Sequence, residues 1–241
     1  MSNYSEEKIS ILASLDQPFS FYTIEAVLKS GIKVDSIIVD SKKYSEKNAR
    51  IWNERTSGNL PMQNFSALES YGVPFFFFKS HNSDSVEAFI KKRDISVVVN
   101  AGTPRILKKN VLNAPKRGVI NCHPGVLPKY RGCTVPEWSI YNDDQIGNTT
   151  HFMTEGIDEG PIISVERYNF SRSDSYSDIR TSLYKSGFLL MANSVRKVIE
   201  ENMSLEFSEP QPKGQYWDVI SEEKMQKVYL KINNGNYKYQ S

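Results

Sequence analysis

Val119-Ile120-Asn121-Cys122-His123-Pro124-Gly125-Val126-Leu127-Pro128-Lys129-Tyr130-Arg131-Gly132 is the stretch on which the reading of this chain turns. Two β-branched residues lead into a short polar run, and Pro124, Gly125 and Pro128 then replace regular pairing with a shaped loop. It reads as the end of a buried strand. Side chains of an extended segment alternate between faces, so Asn121 and His123 share one face and Cys122 points to the other. Further short apolar runs at 9–13, 34–39, 73–78 and 95–99 read as strands of the same kind. Between them lie helical patterns at 21–28, with Gly31 just past the end, and at 85–92, with Val86, Phe89 and Ile90 on one face. This alternation predicts an α/β, Rossmann-like fold: a mostly parallel sheet flanked by helices. Ligands of such sheets bind beyond the carboxyl ends of strands, which directs attention to residues 100–107 and 121–135.

Towards the C-terminus, residues 149–153 and 161–166 read as two more strands separated by the turn-rich Glu155-Gly156-Ile157-Asp158-Glu159-Gly160. Ser175 followed by Asp178 fits a capping box, and apolar spacing from Ile179 predicts a long helix ending near Glu201. The polar stretch 41–61 is expected to be a mobile loop or a loop with a short helix around 49–52. The organisation expected is a catalytic domain over 1–201 and a small extension, 202–241, folded back on it without a second core.

The composition sets the class. A chain of 241 residues carries 30 Lys and Arg against 28 Asp and Glu, a formal charge of +2, which argues against a protein devoted to neutralising nucleic-acid phosphates. Cys122 and Cys133 form neither a disulfide framework nor a zinc-ligand set, so a reducing, cytoplasmic setting is the expectation. The first residues lack a signal-peptide core, and no stretch is apolar enough for a membrane span. A dehydrogenase on such a sheet predicts a Gly-rich turn after the first strand, but Ala13-Ser14-Leu15-Asp16-Gln17-Pro18 contains none.

An amide donor beside an imidazole is the pairing needed to bind a developing oxyanion while moving a proton. Asp158, between Gly156 and Gly160, is the best third group to orient the imidazole or take the proton. On spacing alone, these three read either as a catalytic constellation or as a turn aspartate, a packed loop histidine and a strand-end cap. Cys122 as a covalent nucleophile is the rival chemistry on the same motif, disfavoured because strand alternation turns it away from His123.

The run Asn121 to Pro128, then Tyr130-Arg131-Gly132, and later Glu155-Gly156-Ile157-Asp158-Glu159-Gly160-Pro161-Ile162-Ile163, resembles the folate-dependent N-formyltransferase family. That family includes glycinamide ribonucleotide, methionyl-tRNA and nucleotide-sugar formyltransferases. The resemblance is good over roughly residues 95–200 and looser before that. It implies that Asn121, His123 and Asp158 match the family's catalytic residues. It also implies that N10-formyltetrahydrofolate is the co-substrate, with no metal, bound at Arg105, Ile106 and Leu107 on one wall and at Thr154, Glu155, Gly156 and Ile157 on the other. Gly125 departs from the serine common at that position, Cys133 and Thr134 replace small or proline residues, and Glu159 stands where Thr is common.

Only about 40 residues follow the long helix, which is expected to be too few for the extra barrel of methionyl-tRNA enzymes and more than glycinamide ribonucleotide enzymes carry. The segment from Lys213 to Lys224 looks like the post-helix part of the sugar and tRNA branches. The resemblance therefore favours the nucleotide-sugar branch, with dTDP-4-amino-4,6-dideoxyglucose as the expected amine, O-antigen and lipopolysaccharide biosynthesis as its use, and a homodimer as its state. Methionyl-tRNA or glycinamide ribonucleotide formylation is the alternative. For a nucleotide sugar, Lys79 is the candidate diphosphate contact and His81 a weaker one, with a solvated strand end as the other reading of Lys79. Tyr130 and Trp138 are candidates to stack on base or sugar, with a helix residue packed on the core as the other reading of Trp138, and the basic residues Lys42, Lys43, Lys47, Arg50 and Arg55 read as a phosphate cover or, preferably, a solvated surface.

Overall fold

The computed structural model describes residues 7–241. In chain order its elements are β1 (Ile9–Ser14), α1 (Pro18–Lys29), β2 (Val34–Asp40), α2 (Glu46–Thr56), a 3-10 turn (Phe65–Tyr71), β3 (Phe75–Phe78), α3 (Asp84–Lys92), β4 (Val97–Ala101), α4 (Lys109–Leu112) and β5 (Gly118–His123). There follow β6 (Arg131–Gly132), α5 (Val135–Tyr141), β7 (Gly147–Phe152), β8 (Ile162–Arg167), α6 (Tyr176–Glu200), β9 (Tyr216–Trp217) and α7 (Glu222–Asn233). Seven strands form one sheet in the order β3-β2-β1-β4-β5-β7-β8. The first five are parallel, and β7 and β8 add antiparallel at the β5 edge.

Period-two alternation explains the layers. Ile9, Ile11 and Ala13 of β1 face the cluster containing Phe21, Ile24 and Val27 of α1 and Met191, Val195 and Val198 of α6. Leu12 joins Val86 and Ile90 of α3 on the opposite face. The predicted mostly parallel sheet with helices on both faces is therefore present. The capping box of Ser175 and Asp178 opens α6, as expected.

The polar stretch after β2 holds a full helix, α2, capped by the Ser45 side chain and anchored by buried Trp52, whose ring packs 4.6 Å from that of Tyr184. Residues 202–241 hold a short strand, β9, and a helix, α7, that the sequence pattern did not predict. Tyr216–Trp217 pairs parallel to Arg131–Gly132, and Val228 and Ile232 of α7 join Tyr130, Trp138, Ile179 and Leu183 in one apolar cluster. Residues 202–241 thus pair and pack with the loop that follows His123.

Candidate active site

The carboxyl ends of β4 and β5 bring the polar residues together. Cys122 points to the α6 face, where it belongs to the apolar core and burial pushes its thiol up to about 12. Its rival role as a nucleophile has no thiolate to draw on. Asn121 and His123 point the other way, and antiparallel pairing sets Asn121 opposite His151 on β7.

Asp158 completes the cluster from the β7–β8 connection. Its Oδ2 lies 3.3 Å from His123 Nδ1, and its Oδ1 lies 3.6 Å from His151 Nε2. The backbone N–H of Gly132 donates to Asp158 Oδ2 at 2.9 Å. Gly132 holds φ +97° there, in the left-handed region that favours glycine. Burial alone would raise the Asp158 pKa, but the hydrogen bond from His151, the His123 ring and the Gly132 N–H outweigh it and hold the carboxyl at about 2. Asp158 is therefore ionised at neutral pH. Burial dominates at His123, which is 5% exposed, and pushes its pKa down despite the carboxylate beside it, so the ring is neutral.

His123 Nε2 donates to the Tyr130 carbonyl at 2.7 Å, leaving Nδ1 as the basic nitrogen facing Asp158. That contact depends on Gly125: a Cβ there would lie 2.7 Å from both His123 Nε2 and the Tyr130 oxygen. The glycine that replaces the family's common serine thus permits this ring position. The 202–241 extension braces both loops. Gln211 Nε2 donates to the carbonyls of Asp158 and Gly160 at 2.8 and 2.7 Å, and the Arg131 N–H donates to the Gln215 carbonyl at 3.1 Å.

Beside the cluster lies a cavity of about 220 Å³ lined by Thr103, Arg105, Ile106, Leu107 and residues 153–158, together with Asn100 and His151. All seven residues expected to form the two walls of a pterin slot are among its lining. Asn121 and His123 stand one hydrogen bond or ion pair behind it, through His151 and Asp158. The Arg105 guanidinium does not point at a ligand. It clasps buried Asp40 with Nε at 2.6 Å and Nη2 at 3.1 Å.

Three expectations for a nucleotide sugar need correction. Tyr130, 1% exposed, stacks on Trp217 with its hydroxyl donating to Asp144, and Trp138, 8% exposed, donates from Nε1 to the Asp218 carbonyl at 2.8 Å. Both rings are held in the cluster beneath the extension, because covering apolar surface outweighs leaving an aromatic face in water. His81 is fully buried, bonded to Thr103 Oγ1 at 2.7 Å and to the Ile38 carbonyl at 3.0 Å. Lys79 is exposed beyond β3, as are Lys42, Lys43, Lys47 and Arg50 on or near α2. His151 and Asn100 were absent from the sequence reading. Strand alternation in Thr149-Thr150-His151 was the available signal for His151, but only the antiparallel register shows which residue it meets.

A family model described as formyl transferase matches residues 7–194. A methionyl-tRNA formyltransferase of Clostridium tetani is 28% identical over 151 residues, 62% of this chain and 48% of that protein, so the chain spans about half the length of such a relative. Among solved structures, glycinamide ribonucleotide transformylase 1 of Symbiobacterium toebii shares the fold with a TM-score of 0.64 at 18% identity, over 86% of this chain and 94% of its own. A sugar N-formyltransferase from a Shewanella species reaches 0.60 at 19% identity, over 94% and 87%. An N-formyltransferase of Helicobacter canadensis, in complex with folinic acid and dTDP-3-aminofucose, reaches 0.59 at 19% identity, over 88% and 71%. With the site's residues in place and the family model covering most of its length, this chain belongs to the formyl transferase family.

Proposed function

We propose that this protein transfers the formyl group of N10-formyltetrahydrofolate to the primary amine of a nucleotide-linked amino sugar. The observation that carries the reading is the Asn121, His123 and Asp158 cluster set beside the cavity of about 220 Å³. The cavity is lined by apolar Leu107 and Met153 together with residues 105–106 and 154–157, a mixed lining that suits a heteroaromatic ring. The folate supplies an activated formyl carbon. Asn121, half-buried, presents its Nδ2 as the oxyanion donor. An ammonium cannot attack, so neutral His123 takes the amine's proton at Nδ1, and the ionised Asp158 beside it stabilises the imidazolium that forms. The same proton then serves the departing folate nitrogen.

For the acceptor, the extension supports a nucleotide sugar. The fold of the Shewanella sugar enzyme follows 94% of this chain, against 86% for the ribonucleotide enzyme. The Helicobacter canadensis relative is described with a dTDP-amino sugar. Lys79 is the cation we assign to the diphosphate, and O-antigen assembly by a homodimer is the setting in which we place the product. The curated relatives favour a second reading, methionyl-tRNA as acceptor.

The test is an assay with N10-formyltetrahydrofolate and a panel of dTDP- and UDP-amino sugars, glycinamide ribonucleotide and initiator methionyl-tRNA, monitored for formylated product. Turnover of a dTDP-amino sugar, with a KM raised about tenfold by Lys79→Ala, is expected from the loss of one phosphate contact. Turnover confined to methionyl-tRNA or to the ribonucleotide overturns the sugar assignment.

A further inference from the structure

Asn100 interrupts an otherwise apolar strand: Val97, Val98, Val99 and Ala101 surround it in β4. It is 8% exposed, and an amide so buried is tolerated only when its polar atoms are bonded. Its Oδ1 accepts from the backbone N–H groups of Gly102 and Thr103, at 3.1 and 2.8 Å. A backbone N–H can only donate, so these contacts settle which end of the Asn100 amide is oxygen. Its Nδ2 must then face Asn121, where it donates to Oδ1 at 2.9 Å.

The same logic passes to Asn121. With its oxygen held by Asn100, its Nδ2 faces His151 Nε2 at 3.3 Å, on the slot side. His151 Nδ1 donates to the Phe152 carbonyl at 2.8 Å, and its Nε2 lies between Asn121 Nδ2 and, at 3.6 Å, Asp158 Oδ1. The direction of every hydrogen bond from the two backbone amides to Asn121 Nδ2 is thereby determined.

We propose that Asn100 is a positioning residue for formyl transfer: it holds the Asn121 amide in the orientation that presents NH₂ to the developing oxyanion. This rests on the reading of Asn121 as the oxyanion donor. The two ends of an amide are nearly isosteric, so packing alone does not choose between them. The opposite orientation sets a carbonyl oxygen against the oxyanion, which repels where it should stabilise.

Asn100→Asp inverts the device with minimal change of shape. A carboxylate keeps the acceptors for Gly102 and Thr103 but sets an oxygen against Asn121 Oδ1, so the Asn121 amide turns over. Asn100→Ala removes the orienting donor without adding charge, and guards against a carboxylate that impairs folding. The measurement is kcat and KM for Asn121→Ala, Asn100→Asp, Asn100→Ala and the two double variants, with N10-formyltetrahydrofolate and the acceptor that the panel above identifies.

Asn100→Asp is expected to lower kcat about a hundredfold with KM for the amine held, and Asn100→Ala by a smaller factor. In the Asn121→Ala background both should add no further loss, since the group they orient is gone. Independently of any acceptor, an NMR contact between the Asn121 side-chain NH₂ and the His151 ring should be present in the wild type and lost in Asn100→Asp. Wild-type kcat in both Asn100 variants, losses that multiply in full with that of Asn121→Ala, or survival of the NMR contact overturns the proposal while leaving the oxyanion reading intact. A fully active Asn121→Ala instead removes the oxyanion reading itself.

Discussion

Two aspartates at the carboxyl end of this sheet each lie beside a buried histidine. His81 Nδ1 lies 3.9 Å from Asp40 Oδ2, and His123 Nδ1 lies 3.3 Å from Asp158 Oδ2. Burial pushes both histidines below their ordinary range and partners hold both aspartates below theirs, so neither burial nor pKa tells the pairs apart. What surrounds them does. Asp40 is matched by the Arg105 guanidinium and by the backbone N–H groups of Lys42 and His81, and both His81 nitrogens are bonded within the fold. Asp158 lies between two imidazoles and accepts the Gly132 N–H, and it lines a cavity. A carboxylate neutralised by a permanent cation organises a loop. One balanced by groups that can exchange a proton, beside an open space, is placed for chemistry.

Exchanging the two aspartates for asparagine should separate these roles. Asp158→Asn is expected to lower formyl transfer about a thousandfold, the midrange of general acid–base effects. Asp40→Asn should largely spare formyl transfer and cost about 2 kcal/mol of stability in urea titrations, as the charge-assisted hydrogen bonds from Arg105 are lost. Equal activity losses in the two variants would erase the distinction.

A smaller effect follows from pH. Both histidines are depressed in the fold, so as pH falls below about 6.5 the unfolded chain takes up protons first and stability falls. Each contributes at most about 1.4 kcal/mol per pH unit until its folded pKa is passed. Asp158 acts in the same direction lower down: its contribution is full above the ordinary carboxylate value and is lost as pH falls towards about 2. His81→Asn should flatten part of the loss between pH 7 and 5.5, while a wild-type stability that stays level across that window contradicts the account. Smallest of all, Tyr130→Phe removes the hydroxyl bond to Asp144 and should cost about 1 kcal/mol with KM for the sugar unchanged. A raised KM would return Tyr130 to the binding surface.

The strand and helix pattern was legible because β1, β2, β4 and β5 are buried and β-branched, and because Ser175 and Asp178 mark the start of α6. Asn121 and His123 could be paired from alternation alone. His151 could not, since its place opposite Asn121 depends on β7 joining antiparallel to β5. Asn100 was hidden for a related reason: its partners are a turn's backbone amides and a side chain on the next strand. Helix α7 was missed because its apolar residues, Met225, Val228 and Ile232, are few and cover a surface contributed by α5 and α6. Tyr130 and Trp138 were misplaced because the extension that buries them lies some 80 residues further on, as the Trp138 bond to Asp218 shows.

The central claim is that the His123 and Asp158 pair, and not its neighbour at His81 and Asp40, performs the proton transfer of formylation. Its most direct test is the rate of product formation from N10-formyltetrahydrofolate and a dTDP-amino sugar by the wild type and by His123→Asn, compared at equal folded fraction by circular dichroism. The account predicts turnover by the wild type and a loss of about a thousandfold in the variant. A folded His123→Asn protein that formylates at the wild-type rate would contradict it.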